Sequence, residues 1–344
     1  MKFLFKLSGE HEILPLAELL AVLQAEGLNY KILKFDRAGR LAMVEINCRK
    51  TDFAGRLALT QKAVEVVLVG RKLEKIAEGV YPKIRNAKSF RVKCDSNTVE
   101  RTLGALLHAR GLKVDLTKPE RTVCVFKLAG KFIAGFEIPI EKNFEERHPL
   151  KRPFFHPTSM KPKTARMLVN LACMQKGETL LDPFCGAGGI LIEAGLLGLK
   201  TYGWDIDRVM LEGCRKNVRH YARFPVFSSP FSRISGFPKT GDRKPRTEVI
   251  LEQHDALSRH AIKVDAVVTD PPYGKSSTTL GVKPEKLYNK FLENIKHNLK
   301  KNGRLVIVLP EQYKLKHKGF KLENKFKIRV HKSLTRAIWI LKKS

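Results

Sequence analysis

The carboxyl-terminal half of the chain holds four short runs whose residue types and order can do chemistry, and the most specific is Asp270-Pro271-Pro272-Tyr273-Gly274. Two successive prolines fix φ and remove two N–H donors. The loop is therefore stiff and turns a carboxylate and carbonyls outward as unmatched acceptors, with an aromatic ring beside them. Such a set suits the exocyclic amine of a base, a poor nucleophile because its lone pair is delocalised into the ring. With its two hydrogens held by the Asp270 carboxylate and the Pro271 carbonyl, the nitrogen can pyramidalise and aim its lone pair at a methyl sulfonium. Tyr273 would stack on the base and hold its plane. A proline-rich turn with a surface tyrosine is the plainer reading, and the order of the parts upstream weighs against it.

The second run, Asp182-Pro183-Phe184-Cys185-Gly186-Ala187-Gly188-Gly189, follows an apolar stretch ending at Leu181 and precedes a helical pattern starting near Ile190. Its glycines allow a sharp turn and close approach of a ligand, and the helix amino terminus beyond them offers N–H groups. The spacing is not GxGxxG and no Walker Lys-Ser/Thr follows. A dinucleotide turn has no need of a carboxylate at Asp182, whereas a cationic ligand does. In the third run, Gly203-Trp204-Asp205-Ile206-Asp207, Asp205 ends a strand where it can accept from two ribose hydroxyls. Asp207 opens and caps the next helix. In the fourth, His254-Asp255-Ala256, Asp255 ends a third strand from which a carboxylate can accept adenine amino hydrogens.

These runs have to be positioned by strands, and strand-like segments at 178–184, 200–206, 249–253, 264–269 and 304–309 alternate with helical ones near 190–197, 208–220 and 284–299. That alternation predicts an α/β, doubly wound, mostly parallel sheet, closed by an antiparallel hairpin of 325–331 and 336–341. Residues 1–140 have another rhythm, with β-like runs such as 2–7, 41–46, 89–92 and 122–128 and helices at 14–26 and 98–110, which predicts small α+β units. Residues 141–157, charged and holding three prolines, read as a linker. The basic Pro/Ser/Phe-rich stretch 223–248 is too long for a helix-to-strand connection and reads as an insertion, a solvated loop or an extra contact to a bound partner.

Composition sets the partner class. Sixty-five Lys and Arg stand against 34 Asp and Glu, a net charge of +31 that repels itself in a compact chain. A polyanion would offset that repulsion, and nucleic acid is the obvious one. Six cysteines without a CxxC pair argue against a zinc site and against a secreted disulfide framework. Glu10, His11 and Glu12 interrupt the amino terminus before an apolar run reaches signal length, and no apolar stretch of about eighteen residues occurs. A cytoplasmic protein with no membrane segment and no metal is expected.

DPFCGAGG, GWDID, HDA and DPPYG, in that order, resemble the motifs of class I amino-methyltransferases, and the likeness covers the chain from about His156. The whole chain is similar to archaeal-type THUMP-domain tRNA methyltransferases of the (guanine-10-N2)-(di)methyltransferase kind. SGEHEILPLAELL, HPTSMKPKTARMLVNLA and DPPYGKSS carry this closer match. The resemblance implies a Rossmann-like seven-stranded sheet with S-adenosyl-L-methionine across its carboxyl edge. It also implies a ferredoxin-like domain at 1–50, a THUMP domain at 51–140 and a catalytic domain at 158–344. Its implied cofactor contacts are Thr158, Asp182, Pro183, Phe184, Cys185, Gly186, Gly188, Asp205, Ile206, Asp255 and Ala256, and its catalytic set is Asp270, Pro271, Pro272 and Tyr273. The implied partner is tRNA, with no obligatory helper protein. N2-methylation of another tRNA or rRNA guanosine, a DNA amino-methyltransferase, a glutamine N5-methyltransferase and a non-catalytic RNA-binding protein are the rivals. The DNA enzyme lacks support because no helix-turn-helix pattern is found, and the glutamine enzyme usually shows NPPY.

Overall fold

The structure, a computed structural model, describes residues 1–222, 226–227, 248–272, 284–331 and 334–344. It forms two compact units, Met1–Lys142 and Asn143–Ser344. Among the described residues no helix is long and apolar enough to cross a membrane.

The second unit is an α/β sheet. Its strands are β8 (Thr179–Asp182), β9 (Lys200–Asp205), β10 (Val226–Phe227), β11 (Val249–Gln253), β12 (Val264–Thr269), β13 (Leu299–Pro310), β14 (Phe320–His331) and β15 (Leu334–Lys343). They lie in the order β10-β11-β9-β8-β12-β13-β15-β14. The pairs from β10 through to β13 are parallel, and β15 and β14 close the sheet antiparallel, as the hairpin pattern predicts. Short apolar runs such as VDAVVT suit parallel strands covered on both faces. Helices α4 (Pro162–Leu171), α5 (Gly189–Leu196), α6 (Arg208–Ala222) and α7 (Pro284–Asn298) accompany them. Trp204, Val267, Phe291, Ile307 and Trp339 share one core. Strand order reverses between β8 and β12, the switch point at which open α/β sheets bind ligands beyond the strands' carboxyl ends. The sheet has eight strands where seven are expected. The extra one, β10, is a two-residue edge strand inside the stretch read as an insertion, most of which lies outside the described residues.

A buried ion cluster ties the start of this unit to α5. Glu193 is 1% exposed and accepts from Arg147 Nε at 2.7 Å and from Arg166 Nε at 3.0 Å. Arg152 donates from Nε to the Arg147 carbonyl at 3.2 Å and from Nη2 to the Met160 carbonyl at 3.0 Å. The chain from Asn143 onward is thus packed within the second unit.

The first unit is one mostly antiparallel seven-stranded sheet. Its strands are β1 (Lys2–Leu7), β2 (Tyr30–Asp36), β3 (Leu41–Ile46), β4 (Thr60–Gly70), β5 (Phe90–Lys93), β6 (Arg121–Leu128) and β7 (Lys131–Ile138), in the order β2-β3-β1-β4-β7-β6-β5. The long β4 pairs with β1 on one side and β7 on the other, so the sheet runs unbroken past residue 50. Helix α1 (Leu14–Ala25) packs with Phe3, Phe5 and Phe53 in one core. Helices α2 (Leu73–Ile84) and α3 (Asn97–His108) pack with Phe90 and Val123 in another. Where the chain leaves regular structure after residue 56, buried Glu18 accepts from the Ala58 and Leu59 amides, both at 2.7 Å, which satisfies two N–H groups that water cannot reach.

Candidate active site

The turn between β8 and α5 is set by two glycines with positive φ, Gly186 at 49° and Gly188 at 83°. A side chain at Gly188 is barred twice, since an added Cβ would lie 2.7 Å from the Cys214 Sγ. The turn is tied to the next strand by the Cys185 N–H, which donates to the Trp204 carbonyl at 2.9 Å. The Gly186 N–H donates to Asp205 Oδ2, also at 2.9 Å. Two of the sequence-derived runs are thereby one structure.

Asp205 also accepts from the Asp207 N–H at 3.0 Å. A carboxylate offers about four lone-pair sites, so these bonds leave it room to accept from a ligand hydroxyl. Burial raises its carboxyl above the ordinary value, against hydrogen bonds that lower it. Asp207 caps α6, as expected, accepting from Val209 N–H at 2.7 Å. Beside Asp205, Ile206 is 55% and Val209 67% exposed, an apolar surface fit for the face of a flat ring. The His254 N–H donates to the Asp205 carbonyl at 3.1 Å, which brings β11's end, and with it Asp255, alongside. Asp255 is exposed and accepts from the Leu257 N–H through Oδ1 at 2.9 Å, while Ala256 is buried in the core.

Asp182 is 2% exposed. Its Oδ1 accepts from Thr269 Oγ1 at 2.7 Å and from the Phe184 N–H at 3.2 Å. Among the described residues no hydrogen bond falls on its Oδ2. Burial is the main cause that pushes this carboxyl up to about 7, and repulsion from Asp205 and Asp270 adds to it. A buried carboxyl so placed ionises more readily beside a cation, which fits a ligand bearing an ammonium or sulfonium. Pro183 is buried, and half-buried Phe184 packs against Phe291 at 5.3 Å between ring centroids.

At the end of β12, Asp270 Oδ2 pairs with Arg336 Nη1 of β15 at 3.3 Å. The Pro272 carbonyl accepts from the Tyr288 hydroxyl of α7 at 3.0 Å, which anchors the backbone at that residue. No bond from the described residues is made to the Pro271 carbonyl. Tyr273 lies outside the described residues. Thr158 is exposed and its contacts are local, with Oγ1 2.7 Å from His156 Nδ1, so the structure does not join it to the other residues of the set. Thr269, Tyr288 and Arg336 were missed by sequence reasoning. Thr269 had a signal, a hydroxyl ending an otherwise apolar strand next to Asp270; the other two are brought in by the fold alone.

The arrangement can hold a cationic nucleoside between Asp182, Asp205 and Asp255 and present acceptors from Asp270 to a second molecule. The family UPF0020, RMKL-like, methyltransferase domain, matches residues 149–224 and 242–338. A relative from Methanothermobacter thermautotrophicus, named tRNA (guanine(10)-N2)-dimethyltransferase, is 37% identical over 100% of both chains. One of the same name from Methanocaldococcus jannaschii is 32% identical over 98% of this chain and 99% of its own length. The crystal structure of TrmN from Thermus thermophilus superimposes over 100% of both chains with a TM-score of 0.54 at 23% identity, which is a likeness of fold. Sequence motifs, strand order and full-length relatives thus converge, and the chain belongs to the RMKL-like methyltransferase family.

Proposed function

We propose that the chain transfers methyl from S-adenosyl-L-methionine to the exocyclic N2 of guanosine 10 in tRNA, giving N2-methyl- and N2,N2-dimethylguanosine. The observation that carries this reading is the convergence of Asp182, Asp205 and Asp270 at neighbouring strand ends. Full-length identity of 37% to a relative named for that reaction supports the position and the extent. The bound cofactor supplies an electrophilic methyl group. Asp182 holds its cationic end, Asp205 its ribose hydroxyls, and Asp255 its adenine amino group, with Ile206 and Ala256 flanking the ring. Pro183, Phe184, Cys185, Gly186 and Gly188 shape the rest of the cofactor's seat, and Thr158 is assigned to its methionine end by family resemblance alone. Asp270 and the Pro271 carbonyl accept the two amine hydrogens, Pro272 stiffens the loop, and Tyr273 stacks on the guanine.

In this reading residues 1–50 form a ferredoxin-like domain and 51–140 a THUMP domain that grips tRNA, 141–157 connects, and 158–344 catalyses. The excess of Lys and Arg supports the tRNA partner. The six cysteine thiols support a cytoplasmic setting, and no helper protein is required. The test incubates the protein with radiolabelled S-adenosylmethionine and an unmodified tRNA transcript, then maps methylated nucleosides by mass spectrometry. N2-methyl- or N2,N2-dimethylguanosine at position 10 is expected. The same nucleoside elsewhere discards the position, and no incorporation into tRNA by a protein that binds the cofactor discards the substrate.

A further inference from the structure

Three carboxylates, Asp182, Asp205 and Asp270, stand close enough for the latter two to repel the first. Asp270 has its counter-charge in Arg336, whose Nη1 lies 3.3 Å from Oδ2. The pair is mostly sheltered, with 30% of the Arg336 side chain and 19% of the Asp270 side chain exposed. Arg336, near the start of β15, lies opposite Pro310, the last residue of β13, and its guanidinium reaches Asp270 just after the end of β12. The backbone that carries it is held on both sides, by β13 and by β14. A guanidinium on such a backbone holds the carboxylate oxygen it meets in place as well as countering its charge. A carboxylate accepts about four hydrogen bonds, so it can serve the guanidinium and a base amine together.

We propose that Arg336 is a positioning residue for methyl transfer, one that holds the Asp270 carboxylate toward the incoming base amine. The inference rests on the function proposed above. It acts on the geometry of the reacting pair and not on the binding of either substrate, so its signature is a loss in kcat with KM for tRNA unchanged.

The test compares the full-length wild type with Arg336→Met and Arg336→Lys, measuring kcat and KM on the tRNA transcript, and binding of S-adenosylhomocysteine and of tRNA separately. Arg336→Met is expected to lose about 100-fold in kcat, the scale of a small misplacement of a reacting group. Both affinities should stay within about twofold of wild type, and added guanidinium ion should recover part of the rate. Arg336→Lys keeps the charge without the planar fork and should lose about tenfold. A loss confined to tRNA affinity would make Arg336 a phosphate contact and overturn the proposal, as would an undiminished kcat in Arg336→Met. If Arg336→Met fails to bind S-adenosylhomocysteine, Arg336→Lys decides: full activity there overturns the orienting role. A wild type that puts no methyl on tRNA would instead refute the proposed function.

Discussion

If Asp182 holds the cationic end of the cofactor as proposed, its buried carboxyl makes cofactor binding a proton-linked event. With its carboxyl pushed up to about 7, Asp182 is mostly protonated in the free protein at pH 6. A cationic ligand selects the ionised form, so binding must expel that proton. For a single group titrating near 7, the ionised fraction grows about fifteenfold between pH 5.5 and 7, and affinity for S-adenosylmethionine should grow with it. Below pH 7 the ligand's own amino group stays charged, so the slope belongs to the protein. Titration calorimetry at pH 6 in buffers of different ionisation enthalpy should find about 0.9 proton released per site. Asp182→Asn should bind weakly and without the slope. The free protein should show the opposite trend. Because the folded value lies above the ordinary 3.8, this group favours the native state at low pH, and that contribution is lost as pH rises from about 4 to about 7, on the order of 4 kcal/mol in all. A flat affinity with no proton released would refute the reasoning, since Asp182 would then carry the same charge with and without ligand.

Thr269→Val removes a hydrogen bond that favours the ionised Asp182, so the carboxyl should rise further and cofactor affinity at pH 7 fall by about tenfold. Calorimetry at pH 7 and at pH 8.5 checks this, because the deficit should shrink at the higher pH. Asp270→Ala should cost about 100-fold or more in single-turnover transfer while tRNA affinity by filter binding stays near wild type; retention of more than about a tenth of the rate would remove Asp270 from its role. Glu193→Gln leaves the buried guanidinium groups of Arg147 and Arg166 without their counter-charge and should destabilise by about 3–5 kcal/mol. Thermal unfolding should register this as a drop of about 10 °C, and a cost below about 1 kcal/mol would show the cluster to be dispensable.

Much of the catalytic unit was legible because parallel strands and their turns write themselves locally. VILEQ and VDAVVT are bounded as strands by their own apolar runs, and Asp182, Asp205 and Asp255 each follow such a run. Arg336 was not legible, since 66 residues separate it from Asp270 and only the antiparallel placement of β15 brings them together. The Tyr288 bond to Pro272 has the same origin, since only the fold brings α7 to the residue that follows β12. In the amino-terminal unit, α2 carries Gly79 and Pro82 inside its span, residues that punctuate a helical pattern even where packing of Ile76, Ala77 and Val80 overrides them. The join between that unit's two halves was hidden for a different reason: strand partnership is a property of the sheet and leaves no mark in the spacing of β4.

That join limits how the amino-terminal half can be taken apart. Strand β4 is the inner wall shared by both cores: Ala63 lies in the core around α1, while its far end packs Leu68 into the core around α2 and α3. A cut near residue 50 would leave β1 with an open edge and expose Phe3 and Phe5. The two halves are therefore expected to melt together as one cooperative block, with the amides of β4 exchanging with solvent only when the whole block opens. Whatever this region recognises, it presents one continuous sheet to it, with no seam between separate domains near residue 50.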